Sequence, residues 1–498
     1  MWLQLIHRHD LLGWSWALAV FAVHLLVVAR AITRPNRTPA SRVAWVAVIL
    51  SVPAVGVIAY LLLGETSVGQ ARIQRLNRTM RRIARPDDAD AAPPAASSHV
   101  DALFDLCRSI NGFRPVGGNR IALLGNPDAL PDQPTRDCRA AIDALIADIE
   151  HAQQHVHIAF YIWLDDDNGG RVADAVAAAA LRGVQCRVMV DAFGSRAFVN
   201  GRRWRQLADA GVKLLKTLDD ISRWRHFAFS RADLRDHRKI VVIDNRIAYC
   251  GSQNCADPEF RVKPRFAPWI DLLLRCEGPI VRQQQALFLS GWISEAREPE
   301  LEDLPAAGPA PVRFPENVVA QAFETGPITR DNAMSDMFVA CMYAARHELL
   351  ITTPYFVPDE ALLRALCAAP RRGVKTTIIF PTRNDSWLVG NACRSIYPAL
   401  LECGITVHEY PLGLLHSKSV TIDGDLALIG SANMDRRSLE LNFENNMLIA
   451  DAGVVATIRQ RQLGYLSVSQ PIATDAVHAW PWHTRLLQNA IGMISPVL

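Results

Sequence analysis

At 498 residues, half of them hydrophobic, the chain is long enough for about three core-forming units of roughly 150 residues each. A formal net charge of +3 is small for that length, so bulk charge does not point to nucleic acid. The 10 cysteines are scattered singly, with no Cys-x-x-Cys and no zinc-like Cys/His spacing; neither a disulfide framework nor a metal site is expected, and the thiols suit a reducing compartment.

The N-terminus reads as membrane-embedded. Leu11 to Ala29 is a run of 19 residues without a formal charge, and Val43 to Gly64 a second run of 22. Each can cross a hydrocarbon core of about 30 Å as a helix. The first run is too long for a cleaved signal peptide and a second follows within 13 residues, so two uncleaved spans are expected. His24 has no intramembrane partner in the sequence and reads as a neutral packing residue, while Pro53 reads as a kink in the second span. Arg30, Arg34, Arg37 and Arg42 crowd the connector, and Arg72, Arg75, Arg78, Arg81, Arg82 and Arg85 follow the second span. With both flanks basic, the positive-inside rule leans only slightly toward a cytoplasmic catalytic region. The second arginine run recurs at near-helical spacing, which fits an interfacial helix on anionic headgroups and a solvated basic helix equally.

Residues 85–98, "RPDDADAAPPAASS", read as a flexible linker. Two similar segments follow, "HVHIAFYIWLDDDNGGRVADAVAAAALRGVQCRVMVDAFGS" and "HELLITTPYFVPDEALLRALCAAPRRGVKTTIIFPTRND", each reading as strand, helix ending at Arg-Gly-Val, then strand. The expected organisation is a membrane anchor over 1–70, a basic segment and linker over 71–100, a first α/β half over 101–300 and a second over 315–498. A Pro-rich acidic stretch, "EPELEDLPAAGPAPVRFPEN", joins the halves, and the C-terminal "AWPWHTRLLQNAIGMISPVL" is expected to pack on the second.

Each half carries one copy of a polar motif, "RDHRKIVVIDNRIAYCGSQN" from 235 and "LLHSKSVTIDGDLALIGSAN" from 414. Matched residues are 179 apart throughout: His237 and His416, Lys239 and Lys418, Asp244 and Asp423, Ser252 and Ser431, Asn254 and Asn433. This register points to duplication of an α/β unit. Apolar and β-branched runs flank Asn245-Arg246 and Gly424-Asp425, so each copy reads as a β-hairpin with a two-residue loop. That loop sets Asn254 opposite His237 and Ser252 opposite Lys239, and likewise Asn433 opposite His416 and Ser431 opposite Lys418, one polar face per hairpin.

Such an inventory suits a phosphodiester. Two lysines and two amides can hold non-bridging oxygens, one imidazole can attack phosphorus, and the other can protonate the departing alcohol. A single copy lacks one of these roles, so both halves must face one site, and no metal is needed. Asp244 and Asp423, counted with the catalytic set as motif members, sit next to the turns and read as turn-forming or supporting residues rather than bases. Glu444, thirteen residues beyond Ser431, is a candidate to support an active-site histidine or to form a structural ion pair. Arg436 and Arg437 could meet an anionic headgroup but read more readily as solvated or internally paired. Tyr161 and Tyr355 read as core or cleft-wall aromatics.

The duplicated His-x-Lys-x4-Asp-x6-Gly-Ser-x-Asn pattern resembles that of the phospholipase D superfamily. The resemblance implies two α/β/α sandwich halves with pseudo-twofold symmetry, one shared site and a phosphohistidine formed on His237, with His416 as general acid and then base. Within that superfamily the paired N-terminal runs, "FYIWLDD", "TPYFVPDEAL" and "DRRSLELNFENN" resemble the bacterial cardiolipin synthases nearly end to end. This implies a multi-pass inner-membrane enzyme that transfers a phosphatidyl group between two phosphatidylglycerol molecules, giving cardiolipin and glycerol, with no cofactor and no nucleic acid. After the first motif, "CADPEFRVKPRFAPWID" departs from the family pattern, although Trp269, Asp271 and "EGP" recover the register. Competing readings are a hydrolase using the same intermediate, a nuclease, for which the membrane anchor is a poor fit, and a non-catalytic scaffold, for which two intact motifs are a poor fit.

Overall fold

The computed structural model describes residues 2–34, 39–64, 73–74, 98–125, 134–219, 233–296 and 311–493. The six arginines of the basic run after the second apolar stretch, the linker up to residue 97 and the join over 298–310 lie outside the described residues.

The N-terminal unit is helical. Its first helix, Trp2–Thr33, carries an apolar stretch, Trp14–Thr33, long enough to cross a membrane. Leu18, Phe21, Leu25 and Leu26 along it are more than half exposed. The second expected span is instead two helices, Pro39–Ser51 and Pro53–Leu63, each too short to cross alone. Pro53 has no N–H and biases Val52 out of helical geometry, to φ −133° and ψ 76°, so a new helix starts there. The two helices fold back on each other: the Trp45 and Tyr60 rings meet at 5.4 Å, and a Cβ on Gly56 would stand 2.8 Å from the Ile49 Cα. Pro53 thus marks a turn rather than a kink.

The second unit is built on one sheet. Its first half supplies β1 (Val116–Leu123), β2 (His155–Phe160), β3 (Gln185–Asp191), β4 (Lys213–Thr217), β5 (Ile240–Ile243), β6 (Ile247–Gly251), β7 (Trp269–Ile270) and β8 (Leu273–Glu277). The second half supplies β9 (Val318–Thr325), β10 (Glu348–Thr352), β11 (Phe356–Val357), β12 (Lys375–Pro381), β13 (Thr406–Tyr410), β14 (Leu414–Leu415), β15 (Ser419–Ile422), β16 (Leu426–Gly430), β17 (Met434–Asp435), β18 (Glu444–Ala450) and β19 (Gln470–Pro471). Fifteen of these strands form one sheet in the order β19-β13-β12-β10-β15-β16-β18-β9-β1-β8-β6-β5-β2-β3-β4. Reading outward from the antiparallel β1–β9 pair, the two halves follow the same order, which is the pseudo-twofold relation expected of a duplication.

Local sequence accounts for each repeat. The parallel strands β2, β3 and β12 are buried along almost their whole length, as strands covered by helices on both faces must be. Asp166 and Asp359 cap the helices that follow β2 and β11 by accepting from the backbone N–H of Gly169 and Leu362. Both helices stop at Arg-Gly-Val, where Gly183 (φ 92°) and Gly373 (φ 87°) take the left-handed conformation that glycine adopts at no steric cost.

One sequence expectation is corrected. The motif hairpins close with three-residue loops, not two: Ile243 pairs with Ile247 and Ile422 with Leu426. Asp244, Asn245 and Asp423 take positive φ and Gly424 follows at 82°, which accommodates the extra loop residue. A one-residue change moves every cross-strand partner, so the ladder puts Ile240 opposite Cys250 and Ser419 opposite Ile429, and the ladders end before the His-x-Lys segments. The helix Ser98–Asn111, which straddles the expected boundary between linker and first half, packs on the second half. Its stripe Val100, Leu103, Phe104 and Cys107 joins a core with Met334, Phe338 and Phe323.

Candidate active site

Each His-x-Lys segment runs extended into the first strand of its hairpin, and each is held by backbone from the other half. The His237 N–H donates to the Phe443 carbonyl (2.9 Å), immediately before Glu444. The His416 N–H donates to the Ile270 carbonyl (2.8 Å), immediately before Asp271, where β14 pairs with β7. One strand-like rung on each side therefore delivers a histidine from one half against a carboxylate from the other.

The side chains complete that exchange. His237 Nδ1 lies 2.8 Å from Glu444 Oε2, and His416 Nδ1 lies 2.7 Å from Asp271 Oδ1. Glu444 also accepts from the Ser431 and Ser438 hydroxyls and from the Asn442 amide (3.2 Å). Asp271 accepts from the Ser252 hydroxyl at 2.6 Å. A carboxylate at Nδ1 fixes a proton there and leaves the Nε2 lone pair of a neutral ring to the reaction space. Lys239 and Lys418 each donate one Nζ proton to the carbonyl of the histidine two residues before. Aromatic rings wall the site: Tyr161 meets His237 edge-on at 4.9 Å, Trp269 lies 4.5 Å from His416, and Tyr355 lies 6.4 Å from it.

Burial sets the electrostatics. It pushes His237 down to about 4, with Glu444 opposing and Lys239 reinforcing the shift, and it lowers His416 in the same way beside Asp271 and Lys418. Burial also lowers Lys239 to about 8 and Lys418 to about 7; nearby carboxylates resist this, and for Lys418 the Lys239 charge adds to it. For Glu444 and Asp271 burial acts upward, but the histidine and lysine partners outweigh it and both fall below the usual carboxylate range. The resting site thus holds two carboxylates, two neutral imidazoles and two ammonium groups close to losing their protons. An anionic phosphodiester entering here would strengthen the protonated forms of both lysines.

The motif amides are buried and each keeps an unused polar atom. Asn254 Oδ1 accepts from the Ile162 N–H (3.2 Å), while its buried Nδ2 has no partner. Asn433 keeps a buried, unpartnered Oδ1, and half a turn of that amide would present a donor instead. Among the described residues no three metal-ligating side chains cluster.

The sequence-derived set divides in two. The structure brings His237, Lys239, His416, Lys418, Asn254, Asn433 and Glu444 together. Ser252 and Ser431 lie in the cluster too, with their hydroxyls turned to Asp271 and Glu444. Asp244 and Asp423 lie at the opposite ends of their hairpin strands, roughly 20 Å of extended chain from the histidines. Asp244 accepts from the N–H groups of Gln153, Gln154 and His155, and Asp423 from those of Arg346, His347 and Glu348, all within 2.7–2.9 Å. They clamp the hairpin turn to the start of β2 or β10, a contact that suits the turn-forming role read for them from the sequence. Arg436 pairs with Glu440 at 2.6 Å.

Sequence reasoning gave no role to Asp271. Glu444 follows Ser431 by 13 residues, whereas Asp271 follows Ser252 by 19, and that longer excursion hides the equivalence. The recoverable signal was a Ser-to-carboxylate pair recurring in both copies.

Comparison with known proteins agrees with this architecture. The sequence profile described as the PLD-like domain of cardiolipin synthase matches twice, at residues 145–263 and 338–462, and the phospholipase D-nuclease N-terminal profile matches 22–65. Cardiolipin synthase A of Cronobacter sakazakii is 35% identical over 492 residues, covering 97% of this chain and 98% of its own. The protein of the same name from Yersinia pseudotuberculosis is 36% identical over 493 residues with the same coverage. A phosphatidylserine synthase structure from Haemophilus influenzae shares the fold with a TM-score of 0.55 at 13% identity, over 76% of this chain and 95% of the other. The chain, with its two interlocked halves, belongs to the cardiolipin synthase family of phospholipase D-like proteins.

Proposed function

We propose that this protein makes cardiolipin by phosphatidyl transfer between two phosphatidylglycerol molecules, releasing glycerol. The observation that carries the reading is the exchange of carboxylates around one site: neither half holds a complete histidine–carboxylate pair without the other. His237 Nε2 attacks the phosphorus of the first phosphatidylglycerol, forming a P–N bond as the P–O bond to glycerol breaks. His416 delivers the proton that glycerol leaves with, having taken it up as the phosphodiester anion adds negative charge to the site. The hydroxyl of a second phosphatidylglycerol then gives its proton to His416 and attacks phosphorus, and the P–N bond breaks to restore His237. Lys239, Lys418, Asn254 and Asn433 hold the non-bridging oxygens throughout, while Glu444 and Asp271 fix the tautomers and stabilise each imidazolium.

The apolar, exposed Trp14–Thr33 helix crosses the inner membrane in this reading, with the Pro39–Leu63 helical pair embedded beside the same bilayer and the catalytic unit cytoplasmic. The catalytic halves run from about the start of β1 and of β9. Incubating the detergent-solubilised protein with phosphatidylglycerol alone tests the chemistry. Cardiolipin and glycerol in equal amounts are expected; phosphatidic acid in their place would make the protein a hydrolase.

A further inference from the structure

The segment that departs from the family pattern, residues 255–270, does more than carry Asp271 to its place. It reaches the second half and forms a surface there. Lys263 Nζ pairs with Asp385 Oδ2 at 2.6 Å, and Asp385 Oδ1 in turn accepts from the Tyr355 hydroxyl. Asp385 stands two residues before the helix Trp387–Glu402, and the first turn of that helix packs through Val389 and Ala392 on Val357 and on Ile491 of the C-terminal helix Trp482–Met493. Three stretches far apart in sequence, 259–266, 383–389 and 491–493, therefore share one rim. Ring contacts tie that rim to the reacting groups: Phe260 stacks on Trp269, whose ring lies 4.5 Å from His416, and Tyr355 lies 6.4 Å from the same histidine.

Its exposed side chains are of two kinds. Val262 and Trp387 are each more than 60% exposed and Met493 is 80% exposed, with Leu388 beside Trp387. Arg261, Arg265 and Arg383 are exposed around them. The acidic groups are spoken for: Glu259 pairs with Arg139 and Asp385 with Lys263. Apolar side chains ringed by cations that form no ion pair among the described residues, with a Trp among them, match the boundary between acyl chains and anionic headgroups.

We infer that this rim docks the catalytic unit on the surface of an anionic phospholipid bilayer, so that lipid passes from the membrane to the site without crossing water. The inference rests on the proposed phospholipid substrate and goes beyond it by naming a second membrane contact, apart from the N-terminal helices.

The test uses the full chain reconstituted in vesicles of phosphatidylcholine and phosphatidylglycerol. In the variant Val262→Ser/Trp387→Ala/Leu388→Ala, the rate on vesicle phosphatidylglycerol is expected to fall at least about tenfold, while the rate on a short-chain phosphatidylglycerol dispersed as monomers stays that of the unchanged protein. Arg261→Glu and Arg265→Glu should each cost about fivefold on vesicles at low salt and lose that effect at high salt. Acyl-brominated phosphatidylglycerol should quench the parent protein more than Trp387→Phe. Equal vesicle rates for parent and triple variant, or no difference in quenching, would overturn the docking surface. So would a change of oligomeric mass in the triple variant without a quenching difference, which would mark the rim as a contact between copies of the chain. Failure of the parent on both vesicles and monomers would instead overturn the proposed reaction.

Discussion

The two histidine–carboxylate pairs are built by the same exchange but on different supports. Glu444 opens the seven-residue strand β18, is fully buried, and accepts from His237, two serines and an asparagine. Asp271 lies between the two-residue strand β7 and β8, accepts from His416 and Ser252, and follows the exposed loop that carries Arg261 to Arg265. One side of the site is anchored in the core sheet, and the other is carried by a loop that meets the second half and the solvent. Chemistry duplicated in sequence is thus divided in structure between a side set in a long buried strand and a side that follows an exposed loop.

The largest effect should come from the histidines themselves. His237→Ala and His416→Ala should each lower turnover by about 10³-fold or more, since in the proposed reaction one supplies the nucleophile and the other the proton shuttle. If His237 is the nucleophile, radiolabelled phosphatidyl group should accumulate on the protein in His416→Ala and not in His237→Ala. The opposite pattern would exchange their roles and reverse the comparison.

The carboxylates come next. Glu444→Gln and Asp271→Asn keep shape but present the wrong charge to Nδ1–H, and each should lower kcat by about 10–100-fold. Glu444→Gln should cost more, because its several other donors were arranged around a carboxylate. It should also move the pH dependence that belongs to His237 to lower pH, because Glu444 opposes the fall in that pKa, whereas Asp271→Asn should move that of His416 in the same direction. Equal losses with the same pH profile would mean that the two supports do not differ in function.

The turn aspartates should behave differently again. Asp244→Ala and Asp423→Ala each orphan three backbone N–H groups and place alanine at positive φ, so each should destabilise the protein by about 1–3 kcal/mol. The folded fraction should keep near-normal kcat, measured after correction for active enzyme. A loss of kcat with an unchanged Tm would restore them to the catalytic set.

Much of this was legible because duplication repeats what chemistry needs. Two motifs in one register imply two facing halves, and the residue types at His237, Lys239, His416 and Lys418 admit few other uses. What escaped was geometric. A loop of two residues and a loop of three both suit Asn245-Arg246 and Gly424-Asp425, and the choice follows from Asp244 and Asp423 bonding to backbone some 75 to 91 residues away, which no local pattern records. Asp271 escaped because its spacing from Ser252 is stretched by the loop that makes its side of the site different. The partner of the helix Ser98–Asn111 could not be read locally, since an apolar stripe says which face is buried and not against what. The second apolar run was long enough to cross a bilayer, and length alone could not show that Pro53 and Gly56 would fold it back.

The smallest effect separates burial from catalysis at His237. Its folded pKa, about 4, lies below the ordinary 6.5 because burial disfavours the imidazolium more than Glu444 favours it. Between those values the unfolded chain binds a proton that the folded chain does not, so the stability associated with the neutral ring is complete above pH 6.5 and is lost as the pH falls toward 4. The slope from this one group is at most about 1.4 kcal/mol per pH unit. His155, also lowered to about 4 by burial, and His157, His408 and His416, lowered by burial as well, add slopes of the same sign. His237→Asn removes one of the five. The gap in Tm between the unchanged protein and this variant, measured in one detergent, should therefore shift in favour of the variant as the pH is lowered from about 6.5 to about 5. The window stops there because Glu444, deprived of its partner, begins to take up a proton below it. A gap that does not move would mean that His237 is already charged in the folded protein, paired with Glu444 as an ion pair, and is then poised to give up a proton rather than to attack phosphorus.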